Sequence, residues 1–215
     1  MPTAPSSQAP PGTGRDRLLA AAVGVIRERG LHATTVDDLC AVAGVSKGAF
    51  FHHFENKEAL AVAAADYWSE TTAAAFADAP YHDHADPVDR VLGYLDFRDS
   101  LVGVDIELYS CLVGTMVQEA YATNPSVRDA CGRSIFGHAA TLEADIAAAL
   151  SATAGPTADE RAIAEQAASL ARYTQIVLQG AFVVSKAAND PGLVHESIGH
   201  LRHYFASQFG RADRS

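Results

Sequence analysis

Lys47, His52, His53 and Lys57 stand close together in the stretch TTVDDLCAVAGVSKGAFFHHFENKEAL, residues 34 to 60. The chemistry open to them is recognition of a polyanion. Lys47 can reach guanine N7 and O6, a contact that discriminates between bases by about 1 to 3 kcal/mol, or it can reach a phosphate. His52 and His53 can donate hydrogen bonds to phosphate oxygens even when neutral. Lys57 falls in the first turn of a helix, where the dipole disfavours a cation, so an external anion is its expected partner. Gly48 costs roughly 0.5 to 1 kcal/mol of helix stability relative to Ala, but with small Ala49 beside it the backbone can approach a duplex closely.

The elements that must position these side chains are legible from local signals. Thr35 sits at an N-cap with Asp38 three residues on, an arrangement like a capping box, so a helix begins at Val36. Its apolar residues Val36, Leu39, Cys40 and Ala43 follow one stripe, and Gly44 ends it. Ser46 caps a second helix, which Phe50 and Phe54 anchor at i, i+4 spacing. Ahead of Gly30, Leu19, Val23 and Ile26 predict a bracing helix over 16–29, and Asn56 caps a long one over 57–78. Two short helices around a tight turn make a helix-turn-helix, whose second helix reads the major groove.

These residues resemble the DNA-binding domain of the TetR family of bacterial transcriptional repressors. The likeness covers roughly residues 15 to 62. It rests on Gly30, Thr34-Thr35, Ala43-Gly44-Val45-Ser46, Gly48, the run Phe50-Phe51-His52-His53-Phe54, and Asn56-Lys57-Glu58-Ala59-Leu60. The resemblance implies DNA contacts from Thr34, Thr35, Ser46, Lys47, Gly48, Ala49, Phe51, His52, His53 and Lys57. Position 51 is commonly Tyr in the family, with its hydroxyl on a phosphate. Phe51 cannot make that bond but can touch a thymine methyl.

Composition agrees with a globular chain: 215 residues, 48% hydrophobic and 20% charged. The net charge of −10 is unevenly placed, because residues 1 to 60 carry six basic and six acidic groups and the remainder carries all of the excess. Such asymmetry orients the acidic body away from DNA. Residues 1–14 read as a disordered tail and not a signal peptide. No apolar run is long enough for a membrane span. Cys40, Cys111 and Cys131 are too scattered for a disulfide framework, which suits the cytoplasm.

The expected fold is all-α, with a DNA-binding domain over 15–60 and a ligand-binding and dimerisation domain over 61–210. Further helices are expected over 87–101, 107–122, 125–151, 158–188 and 191–209. Ile163, Ala167, Leu170, Thr174, Val177, Ala181, Val184 and Ala188 step by fours and threes like a helix seam. With Val194, Ile198, Leu201 and Phe205 they predict half of a four-helix bundle completed in a homodimer. A twofold reading head would engage a palindromic double-stranded operator.

In the family a small-molecule effector binds in the body and moves the heads out of register. Trp68, Tyr94, Phe97, Leu101, Cys111, Met116, Tyr121, Phe136 and Tyr173 could line such a cavity. Ser110-Cys111-Leu112, followed by a helix and Asn124-Pro125, also resembles the electrophile-sensing family member that represses N-ethylmaleimide reductase. That leaves two other readings open: a redox or electrophile sensor acting through Cys111, and a ligand-sequestering helical protein with a vestigial head. No catalytic motif, metal site or cofactor is expected. His82/His84 and His200/His203 have no third ligand at a recognisable spacing, and Gly44-Lys47-Gly48 is not a phosphate loop.

Overall fold

The computed structural model describes residues 12–103, 105, 109–155 and 158–211, and among these every regular element is helical. The first helix, α1 (Gly14–Arg29), starts two residues earlier than expected. Thr13 closes a capping box: its hydroxyl accepts from the Asp16 N–H at 3.2 Å, and the Asp16 carboxylate accepts from the Thr13 N–H at 3.0 Å. Gly12, Thr13 and Gly14 therefore belong to the helix entry and not to the tail expected over 1–14. The rest of that tail, residues 1–11, lies outside the described residues.

The caps read from sequence around the two short helices are present. Thr35 and Asp38 form a full capping box at α2 (Val36–Ala43), and Gly44 ends it in the left-handed region at φ 62°. Ser46 Oγ accepts from the Ala49 N–H to open α3 (Lys47–His53), and Asn56 opens α4 (Lys57–Ala77). After a 3-10 turn at Pro80–Asp83 come α5 (Pro87–Ser100), α6 (Leu112–Ala120), α7 (Pro125–Ala140), α8 (Glu143–Ala154), α9 (Glu160–Ala188) and α10 (Gly192–Gln208).

Two boundaries correct the sequence reading. Cys111 opens α6 as its N-cap, with Sγ accepting from the Gly114 N–H at 3.4 Å, whereas a helix was expected from 107. Residues 107 and 108 of that expected span lie outside the described residues. The helix expected over 125–151 is two helices, because the Thr141 hydroxyl takes the His138 carbonyl at 2.8 Å and the ladder tightens to Leu142 N–H on Ala139 O. A side-chain oxygen competing with the backbone ends α7 without proline or glycine.

Packing divides into two clusters. Leu18, Leu19, Ile26, Leu39, Phe50 and Leu60 are almost wholly excluded from solvent, each burial worth about 1.5 to 3 kcal/mol. This cluster continues past residue 60 into Leu112, Val113 and Met116 of α6 and Val127 and Cys131 of α7. The second cluster joins α5, α8, α9 and α10 around Tyr94, Leu95, Ile146, Leu178, Ile198 and Phe205.

The end of α1 is held from the body. Lys186 Nζ donates to the Arg27 carbonyl at 2.9 Å and to Thr115 Oγ1 at 3.1 Å, while Arg27 Nε donates to the Ser110 carbonyl at 2.7 Å. The Arg27 guanidinium also lies over the Trp68 ring at 5.0 Å. Glu119, at the far end of α6, accepts from the His32 N–H at 2.5 Å. Gly30 turns the chain between these grips at φ 86°, and a Cβ there would collide with the Glu119 carboxylate. Gly30→Ala is accordingly expected to lower unfolding free energy by about 2 kcal/mol in urea titrations, from left-handed strain plus the clash. Adding Glu119→Ala should recover only the clash, which a double-mutant cycle would read.

Candidate functional site

α3 presents a bare leading end. A Cβ at Gly48 would meet only Ser46 Oγ, at 3.8 Å, and Lys47, Gly48, Phe51 and His52 are exposed. Beneath them Phe50 is fully buried, with Phe51 edge-on at 5.2 Å and Phe54 at 5.8 Å. Phe51 keeps 52% of its surface accessible, an apolar face with no hydroxyl to offer a phosphate. Lys47 Nζ pairs with Asp37 Oδ1 at 2.9 Å, but both side chains are solvated, so the pair is weak and does not hold the lysine back. His53 is half-buried, its Nε2 lying against Gly14 at the start of α1.

Three of the expected DNA contacts stand otherwise. Thr34 is wholly buried and its hydroxyl donates to the Gly30 carbonyl at 2.6 Å, so it shapes the turn and cannot touch a duplex. Thr35 is exposed, but its hydroxyl donates to Asp38 Oδ2 at 2.6 Å; that bond first, then the Thr35 N–H, holds the Asp38 carboxyl below its usual value. Lys57 does not wait for an external anion. Its ammonium donates to the carbonyls of Leu31, His32 and Thr34 at 2.9, 3.3 and 2.9 Å, which answers the unfavourable helix dipole internally.

The body contains a chamber of about 180 Å³ between α4, α5, α6, α7 and α9. Trp68 and Cys111 line it as expected. A second chamber of about 280 Å³ shares Trp68, Thr72, Arg98, Tyr109 and Phe182 with the first and includes Leu101. The other expected lining residues lie elsewhere. Tyr94 is 1% exposed and sits behind the wall, its hydroxyl 3.0 Å from His138 Nε2, and Phe97 packs edge-on against Phe76 at 5.1 Å. Met116 is core beneath α1. Tyr121 and Phe136 face outward at 63% and 62% exposure, and Tyr173 packs against Tyr204 on the outer face of α9.

Arg98, His138, Gln175 and Gln179 line the first chamber and were missed by a search for aromatic residues. A signal existed for two of them. Val91, Tyr94, Leu95 and Arg98 form one helical stripe, as do Ala171, Gln175, Leu178 and Phe182, so each places a polar group on a buried face. His138 is neutral here: burial first, then the Arg98 charge, pushes its pKa down to about 3. Burial pushes the Cys131 thiol up to about 12, with Cys111 adding to it, which leaves Cys131 inert.

The stripe read as an intersubunit seam is largely internal. Ala167, Leu170, Thr174 and Ala181 of α9 are buried within the protomer, as are Val194, Ile198, Leu201 and Phe205 of α10. Val184 of that stripe does stay outside, together with the neighbouring Tyr173, Ile176, Val183 and Tyr204. Among the described residues no helix is long and apolar enough to cross a membrane.

Comparison with known proteins bears on both halves of the chain. Residues 18–64 match the family profile described as "Bacterial regulatory proteins, tetR family". The HTH-type transcriptional repressor KstR2 of Mycolicibacterium smegmatis is 42% identical over 57 residues, 26% of this chain and 28% of that protein. The HTH-type transcriptional regulator CymR of Pseudomonas putida is 43% identical over 54 residues, 25% of this chain and 27% of that one. The chain thus spans under a third of the length of these curated relatives. A TetR transcriptional regulator from Chloroflexus aurantiacus J-10-FL superposes with a TM-score of 0.73 at 26% identity, over 91% of this chain and 95% of that one. Reduced NemR of E. coli superposes at 0.71 with 20% identity, over 88% and 95%, a likeness of fold alone.

Proposed function

We propose, from the match of residues 18–64 to the tetR family of bacterial regulatory proteins, that this chain is a cytoplasmic transcriptional repressor, released from a palindromic operator by a small-molecule effector. The observation that carries the reading is the leading end of α3. Lys47 and Gly48 stand exposed at a capped helix start whose opposite face, Phe50, is locked in the core. A helix held so, with no side chain at Gly48 to keep the backbone off, suits insertion into a major groove. His52 and Lys47 supply donors to phosphate and base.

The reading entails a homodimer, since two such heads need a separation of about 34 to 36 Å to meet successive grooves. The exposed apolar stripe of Tyr173, Ile176, Val183, Val184 and Tyr204 is the surface that dimerisation would cover. Within this division, residues 15–60 read DNA and 61–210 sense and dimerise, with the chamber beside Trp68 as the effector site.

Gel-shift titration against DNA flanking the gene, at several salt concentrations, tests the proposal. Specific binding should fall with salt at about 0.9 in log–log slope per neutralised phosphate. Lys47→Ala should weaken operator binding by about 5- to 100-fold and random-sequence binding little. Equal losses on both DNAs would remove Lys47 from base reading, and no specific binding at any salt would remove the repressor.

A further inference from the structure

Among the described residues the walls of the two chambers are charged in one sense only: no Asp or Glu of that set lines either, whereas Arg98 lies at their junction. Arg133, at the edge of the first chamber, already has Asp66 at 3.6 Å. The Arg98 side chain has no hydrogen bond or carboxylate partner among the described residues. Its guanidinium rests over Phe76 at 5.2 Å and Tyr94 at 5.9 Å. Cation–π attraction holds it in place but leaves its fork of N–H donors unused.

A second donor stands in the same chamber. Gln175 is only 5% exposed, lines the cavity, and its Nε2 is buried without a hydrogen-bond partner. Its amide does approach the Tyr94 oxygen as a hydrogen-bonding neighbour, but without the geometry of a full bond, and that hydroxyl is already within 3.0 Å of His138 Nε2. A buried donor without an acceptor is unfavourable, and natural sites keep one where a ligand supplies the acceptor. Trp68, Val113, Ile135 and Phe182 provide the apolar remainder of the wall.

We propose that this chamber takes a small organic carboxylate, its anionic group at Arg98 and Gln175 and its cyclic or branched apolar body against Trp68 and Phe182. The assignment rests on the chamber's being the effector site proposed above. A cationic ligand would find no counter-charge among the described lining residues. A phosphate dianion would meet a single half-buried guanidinium, since His138 is neutral and Arg133 stands in solvent at the chamber's edge. A carboxylate matches the planar fork of one arginine with two acceptor oxygens and leaves lone pairs for the glutamine amide.

Trp68 is the single tryptophan of the chain and lines both chambers, so its fluorescence reports occupancy directly. The full chain would be titrated with benzoate, cyclohexanecarboxylate and 3-phenylpropanoate, and with the corresponding amides and amines. Carboxylates are expected to perturb Trp68 emission at concentrations about tenfold or more below the amides, and the amines not at all. Arg98→Gln should raise the carboxylate Kd by about 10- to 100-fold while leaving the amide Kd in place. Should circular dichroism show Arg98→Gln misfolded, the isosteric Gln175→Glu decides, because it sets an anion where the ligand's oxygen would lie and should abolish the preference. Amides binding as well as carboxylates to the unaltered chain would overturn the charge assignment and leave the effector reading standing. Silence of Trp68 to all three sets would overturn both.

Discussion

Lys57→Met lowers the unfolding free energy by about 2 to 3 kcal/mol and weakens binding to operator and random DNA alike. The expectation follows from the three carbonyls, of Leu31, His32 and Thr34, that the ammonium gathers at 2.9 to 3.3 Å. A hydrogen bond from a charged donor is worth about 1.5 to 3 kcal/mol, and partial solvation of Lys57 keeps the total near the value for one or two. Loss of the cation frees the turn between α1 and α2, which carries the Thr35 cap and therefore sets the placement of α3. Affinity should fall for both DNAs while the salt dependence of the remaining binding keeps its slope. A lysine that met phosphate would behave in the opposite way, lowering the slope by about 0.9 and sparing stability. Urea unfolding and salt titration of one variant separate the two.

Acid should destabilise the body well before it titrates the carboxylate caps. His138 has its pKa pushed from 6.5 to about 3 by burial and then by Arg98, so between those values the unfolded chain holds a proton that the folded chain does not. Stability from this group is whole above pH 6.5 and is lost as pH falls from 6.5 toward 3, at up to about 1.4 kcal/mol per unit. By pH 5 the loss approaches about 2 kcal/mol. Asp16 and Asp38, whose carboxyls are held low by the Thr13 and Thr35 hydroxyls, act in a different window, keeping their contribution above pH 3.8 and losing it below. His138→Gln should therefore flatten the stability profile between pH 6.5 and 5 and leave the steeper acid limb unchanged. An unaltered profile in thermal unfolding across that interval would mean that the imidazole is protonated in the fold.

What was legible in the sequence is what local chemistry decides. Thr35, Gly44, Ser46 and Asn56 mark helix ends because their side chains or conformations act within three residues, and each does so in the fold. Phe50 and Phe54 were readable as anchors for the same reason. Where a distant neighbour decides, reading failed. The Lys57 side chain fits a phosphate contact on sequence grounds, and only the turn before α2, brought beside it by folding, gives it other acceptors. The break at Thr141 has no proline or glycine to announce it. Heptad spacing along α9 is equally served by an internal seam and an external one, and the fold uses Ala167, Leu170, Thr174 and Ala181 internally. For the chamber, size and aromaticity were poor guides. Met116 fills core and Tyr121 faces solvent, whereas Arg98 and Gln175 were marked by polarity on otherwise apolar stripes.

The nine residues of α6 follow the N-cap Cys111 in the chamber wall and carry in their last turn Glu119, which accepts from the His32 N–H just beyond α1. At about 1.5 Å of rise per residue such a rod is some 13 Å long and resists axial compression. It spans the distance from the cavity to the turn between α1 and α2. Leu112, Val113 and Met116 pack in the same buried cluster as α1, so one continuous element ties the sulfur in the chamber wall to the turn after Arg29.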